Sequence, residues 1–140
     1  MLDPQTGLLH LRAFGQDLER AIADATERGV NLSIARFAFE DAVDRRTSMD
    51  AARLVSRLIR NIDFGCRQDD GSILCVFTET DLRAAHLVAR RLASVLKHTM
   101  IKPERERSRI NASVTLATLK PSDTLLTLMA RVAPRPVAAA

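Results

Sequence analysis

The residues best suited to chemistry lie in one stretch, RNIDFGCRQDDGSILCVF, Arg60 to Phe77. Arg60 and Asp63 stand three apart, a planar five-donor fork beside a carboxylate. Alone, such a pair reads either as a solvated ion pair worth little or as a donor–acceptor couple that can grip a ligand. Arg67 reads as a structural charge beside a hairpin. Asp69 and Asp70 are adjacent carboxylates that read as a solvated turn rather than a metal site. Cys66 and Cys75 flank that turn and are expected to be reduced core thiols rather than a disulfide. Their spacing fits no zinc site, and no histidine is near. His10, His86 and His98 are scattered over predicted helices without a catalytic constellation. No Ser-His-Asp arrangement, P-loop or dinucleotide fingerprint occurs.

The elements that must position these residues follow from periodicity. Leu8, Leu11, Phe14, Leu18, Ala21, Ile22 and Ala25 recur at three and four, which predicts a helix from about His10 to Arg28, stopped by Gly29. Asn31 to Phe39 predicts a strand. Ser48 is expected to cap a second helix with Ala51, Leu54, Val55, Leu58, Ile59 and Ile62 inside, so that Arg60 and Asp63 fall at its end. Asp70-Gly71 between apolar runs predicts a hairpin whose second strand is Ser72 to Phe77. Thr80 is expected to cap a third helix, from about Asp81 to Lys97. Ile110, Ala112, Val114 and Leu116 alternate as in a half-buried strand. Ser122 is expected to cap a last helix, Asp123 to about Val132.

The order α-β-α-β-β-α-β-α predicts an α/β (α+β) fold, a ferredoxin-type βαββαβ core with a mixed, mostly antiparallel sheet flanked by helices. The 140 residues suit one domain. The domain is expected over 1–133, followed by a disordered tail over 134–140. The opening MLDPQTG reads as a cut just before a domain, so the chain is expected to be the C-terminal piece of a longer multidomain protein. A hydrophobic fraction of 46%, with no Trp or Tyr and only five Phe, calls for an aliphatic core. The net charge of +4 is spread over helical faces rather than gathered in a tract, which suits an anionic ligand better than nucleic acid. No apolar run has the length of a membrane span, and no secretory signal is visible; a cytoplasmic location is expected.

Three segments together resemble the GGDEF domain of diguanylate cyclases. DPQTGLLHLRAF, Asp3 to Phe14, is similar to the family's opening D-P-L-T-G-L-x-N-R-R-x-F. Arg60-x-x-Asp63, five residues, then Asp69-Asp70-Gly71-Ser72-Ile73 resembles R-x-x-D-x5-G-G-D-E-F. NASVTLAT, Asn111 to Thr118, resembles the late strand V-x-V-S-I-G-V-A. The resemblance covers nearly the whole chain. It implies a domain that joins two GTP into cyclic di-GMP with divalent metal, two domains meeting face to face.

The resemblance also marks departures. Asp69 and Asp70 replace the turn glycines, and Gly71 and Ser72 replace the two acidic positions after them. The metal-binding Asp of the first strand aligns with Ala38, with Glu40 two residues on as an imperfect substitute. The guanine-reading Asn and Asp have no counterpart between Glu40 and Ser48, and the terminal Y-x-A-K has none after Ala130-Arg131-Val132. The expectation is therefore a degenerate member that is not an enzyme, with no cofactor and no metal. The Arg60-x-x-Asp63 element keeps the family's spacing. In active relatives it is the inhibitory product site, where Arg meets guanine O6 and N7 and the carboxylate meets N1–H and the amino group. The alignment adds Arg91. A cyclic di-GMP receptor built on Arg60, Asp63 and Arg91 is thus expected, signalling to an attached sensor or output domain or through a homodimer. The alternatives are a structural dimerisation domain without nucleotide and a residual diguanylate cyclase.

Overall fold

A computed structural model describes residues 2–39, 44–99 and 111–134. Eight elements follow in the expected order: α1 (Leu11–Arg28), β1 (Leu32–Phe39), α2 (Arg45–Leu58), β2 (Phe64–Arg67), β3 (Ile73–Thr78), α3 (Leu82–Thr99), β4 (Ala112–Thr118) and α4 (Leu125–Val132). Ile110 of the predicted last strand, Glu40 and the expected tail beyond Pro134 lie outside the described residues.

The four strands form one sheet in the order β2-β3-β1-β4. All three ladders are antiparallel. Among the described residues, parallel pairing is confined to the isolated bridge between Leu9 and Cys66. The central strand β1 carries the register. Ala35 faces Cys75 and Leu116, and Arg36 faces Leu74 and Thr115.

Helices cover both faces, so β1 and β3 are buried almost throughout instead of alternating with water. On one face Ala35, Phe37, Ile73, Cys75 and Phe77 pack under α2 and α3. Those helices present Ala51, Ala52, Ala85 and Ala89, small residues that let the backbones come close. On the other face Leu32, Ile34, Cys66, Leu74 and Val76 pack under α1 and α4. Phe14 of α1 meets Phe64 edge-on, ring centroids 5.7 Å apart, one of the few aromatic contacts this composition allows. Cys66 and Cys75 are both free and buried, and they belong to opposite faces of the sheet. Strand alternation alone keeps a disulfide from forming between them. Burial pushes the Cys66 thiol up to about 12 and raises that of Cys75 as well.

The helix starts differ from the expected ones, and the reason is the same each time: another side chain reaches the orphan amide. Asp44 caps α2 by accepting from the Thr47 amide at 2.8 Å, which leaves Ser48 inside the helix. Asp81 accepts from Ala84 at 2.8 Å at the start of α3, and the Thr80 hydroxyl is used elsewhere. Thr124, in a reciprocal capping box with Thr127, starts α4 in place of Ser122.

The opening segment Asp3 to Gly7 is a closed turn. The Asp3 carboxylate accepts from the Gln5 amide and the Thr6 hydroxyl, and the Gly7 amide returns to the Asp3 carbonyl at 2.8 Å. The turn docks on α2, where Arg53 donates to the Gln5 carbonyl. Leu9 then donates to the Gly65 carbonyl at 2.9 Å, which joins the segment to β2.

Gly65 sits where β2 runs tightest against β3. A Cβ there would lie 2.5 Å from the Leu74 carbonyl oxygen, a backbone atom that cannot turn aside. Gly65→Ala is expected to cost about 1–3 kcal/mol of stability through forced strand displacement. Urea unfolding with an unchanged slope and a lower midpoint checks this.

Candidate functional site

The connection from α2 to β2 is a turn, not the end of a helix. α2 stops at Leu58, and the Asp63 amide donates back to the Arg60 carbonyl at 3.0 Å. The turn brings the Arg60 and Asp63 side chains together. Arg60 Nε donates to Asp63 Oδ2 at 2.8 Å and Nη2 to Oδ1 at 3.1 Å, a two-pronged pair. Asp63 Oδ1 also accepts from the Thr78 amide at 3.0 Å. Arg60 Nη2 reaches the Thr78 carbonyl at 2.9 Å and Thr80 Oγ1 at 3.0 Å. The Thr80 hydroxyl donates in turn to the Thr78 carbonyl. The pair thus locks the α2–β2 turn onto the end of β3.

The two side chains differ in access. Asp63 is 2% exposed and its oxygens are filled from within the fold, whereas Arg60 is 55% exposed. Among the described residues, no acceptor is bonded to Nη1, which leaves that edge to an outside acceptor. The Asp63 hydrogen bond holds the Arg60 guanidinium above its ordinary value against partial burial, and the charges of Asp63 and Glu79 add to this. Arg91 lies on α3, exposed, and makes no hydrogen bond or ion pair with any described residue. The structure therefore joins Arg60 and Asp63 directly, while Arg91 is an exposed cation on α3 that is not hydrogen-bonded to either.

At the opposite end of the hairpin the polar groups satisfy one another. Gln68 donates to the Ser72 carbonyl at 2.8 Å and Gly71 to the Gln68 carbonyl at 2.9 Å, closing a three-residue loop in which Gly71 takes φ 89°. Asp70 accepts from the Ser72 hydroxyl at 2.6 Å, the Ser72 amide at 2.9 Å and Arg36 Nη2 at 3.0 Å. Asp69 is exposed at the turn. Arg67 Nε donates to Ser48 Oγ at 2.7 Å, and that hydroxyl donates to the Gly71 carbonyl at 3.0 Å, so Arg67 ties the hairpin to α2. Ala38 lies near the end of β1, and Ile73 is buried at the start of β3. No three metal-ligating side chains cluster among the described residues.

Two contributors escaped the sequence reading. Arg36 left a signal, a lone charge inside the apolar run LSIARFAF, and its side chain is 11% exposed with Asp70 as partner. Thr80 left none, because its partner Arg60 is twenty residues away.

No protein-family model and no curated protein matches the chain. Solved structures do. The GGDEF domain of DgcB from Caulobacter crescentus, in complex with c-di-GMP, superposes with a TM-score of 0.80 at 18% identity, over 94% of this chain and 84% of that one. The fold is that of the GGDEF domains. The FimX GGDEF domain from Pseudomonas aeruginosa gives 0.78 at 16% identity, over 94% and 88% of the two chains. The active GGEEF domain of a diguanylate cyclase from Vibrio cholerae gives 0.79 at 16%, over 89% and 86%. These neighbours correct the expectation that the chain is not an enzyme. They include a diguanylate cyclase domain described as active, and so point to an enzyme family. No helix among the described residues is long and apolar enough to cross a membrane.

Two substitutions test the two ends of the hairpin. Asp63→Ala strips Arg60 of its carboxylate and the Thr78 amide of its acceptor; a loss of about 3 kcal/mol is expected in denaturant unfolding, with Asp63→Asn losing less. At the tip, burial raises the Asp70 carboxyl, but the Ser72 hydroxyl and amide and the Arg36 guanidinium outweigh it and hold it below its ordinary value. A depressed folded value means that the contribution is complete above the unfolded carboxylate's value, about 3.9. It is then lost as pH falls through the lower, folded value. Wild type is expected to exceed Asp70→Asn in stability at neutral pH, the gap closing below about pH 4 in thermal melts.

Proposed function

We propose that this GGDEF-fold domain is a receptor for cyclic di-GMP and that Arg60 is its guanine-reading group. The observation that carries the reading is the half-exposed Arg60 guanidinium, held in one orientation by a buried carboxylate, with Nη1 directed to no described acceptor. A preset guanidinium edge suits the O6 and N7 acceptors of guanine and loses little freedom on binding. Asp63 acts chiefly by fixing Arg60, since its own oxygens are filled. Arg91 supplies a cation for the phosphodiester or the second base. The complexes of DgcB with c-di-GMP support the choice of ligand. The bound state would be passed to an attached sensor or output domain or to a second copy of the chain.

A second reading, a packing or dimerisation unit without nucleotide, draws on exposed apolar side chains, Leu82 and Leu87 on α3 and, elsewhere, Leu58 and Ile62. It predicts concentration-dependent dimerisation with no thermal shift from any guanine nucleotide.

Titration calorimetry with cyclic di-GMP separates the two. The receptor reading expects saturable heat that weakens with salt, because the ligand is a dianion. Arg60→Ala is expected to weaken binding at least about tenfold, and Arg91→Ala by less. No heat from wild type at protein concentrations on the order of tens of micromolar would remove the receptor reading.

A further inference from the structure

Glu79 stands between two arginines. It is the one non-glycine residue with positive φ among those described, at 51°, a backbone region that side chains disfavour. Residues held there against preference concentrate at functional sites. Its neighbours on either side, Thr78 and Thr80, supply the oxygens that Arg60 Nη2 grips. Its own carboxylate pairs with the end of α1. Oε1 accepts from Arg28 Nη1 at 3.2 Å. Arg28 closes the last turn of α1 and is anchored there by Asp24, with Nε at 3.0 Å and Nη2 at 2.8 Å. Asp24, Arg28, Ile62, Thr78 and Glu79 wall a cleft of about 300 Å³ between the end of α1 and the loop that holds Arg60. Glu79 is also close enough for its charge to act on Arg60.

We propose that Glu79 is a positioning residue for the Arg60 site, and that Arg28 sets the charge which an anionic ligand meets there. The proposal rests on the receptor reading above and adds the residues that regulate it. With Arg28 in place, Glu79 is neutralised and holds the loop in the conformation that presents Thr78 and Thr80 to Arg60. Without Arg28, Glu79 becomes a free carboxylate beside the guanidinium. It then repels a phosphodiester dianion and competes for Arg60 as an ion-pair partner. The end of α1 thereby governs how tightly the site on the far side of the loop holds its ligand.

Calorimetry with cyclic di-GMP at low salt on five proteins tests this: wild type, Arg28→Gln, Glu79→Gln, the double variant, and Asp17→Asn as an equal charge change three turns back along α1. Arg28→Gln is expected to weaken binding, and Glu79→Gln to tighten it, each by about threefold, a size suited to solvent-screened charges. The double variant is expected to return to the wild-type value, and Asp17→Asn to change little. Both single variants lose the same ion pair, so a purely structural role would move the two affinities in the same direction. That result, or an equal gain from Asp17→Asn, would overturn the proposal while leaving the receptor reading standing. If wild type takes up no ligand, the receptor reading falls and this proposal goes with it.

Discussion

A carboxylate that is 2% exposed must find its partners inside the fold, and Asp63 finds three donors. An unpaired charge at such depth would cost several kcal/mol or be neutralised. The Arg60 fork and the Thr78 amide meet that requirement, and much local geometry follows from it. The chain leaves α2, turns at once, and enters β2 in register with β3. Thr78, at the end of β3, is fixed by the same carboxylate. Arg60 is fixed too, because Nη2, besides bonding Asp63, reaches back to the Thr78 carbonyl and the Thr80 hydroxyl. The exposed cation is thus the outer half of an interaction whose inner half is structural.

The hairpin's other end shows the same chemistry with the opposite exposure. There the arginine is buried and the carboxylate half-exposed: Arg36 at 11%, Asp70 at 51%. Arg36 points from the central strand toward the tip, and its Nε lies buried without a partner. Asp70 is occupied by Ser72 as well as by Arg36. Arg67, Ser48 and the Gly71 carbonyl complete a closed circuit between tip and α2. Arg36 Nη2, Arg67 Nε, the Ser48 and Ser72 hydroxyls and the Ser72 amide are all spent inside the protein.

The sequence carried the architecture well because its signals were local and periodic. The apolar faces of α1 and α3, the alternation of β4 and the Asp-Gly turn each appear within a dozen residues. Helix starts were misplaced because Ser48, Thr80 and Ser122 are equally good capping types, and three-dimensional demand decided among them. Ser48 is claimed by Arg67 and the Gly71 carbonyl, and Thr80 by Arg60. The spacing of Arg60 and Asp63 was legible, but not which of the two would be buried. That depends on the end of β3 approaching from fifteen residues away. Arg36 was legible only as an anomaly, a charge in a run otherwise fit for a core.

The two ends of the hairpin therefore differ in what they can offer a ligand. A guanidinium is worth most to an incoming base when its orientation is already fixed and one edge is free, since neither conformational ordering nor the breaking of an internal bond opposes binding. Arg60 meets both conditions. Arg36 is less available, because its side chain is only 11% exposed and Asp70 already occupies its Nη2. The charge around Arg60 is then set by the groups that share its loop. One acid outside the ion pair whose charge acts on Arg60 is Glu79, held on a disfavoured backbone and tethered by Arg28 to the last turn of α1. Glu79 thus faces both the end of α1, through its pair with Arg28, and Arg60, through its charge.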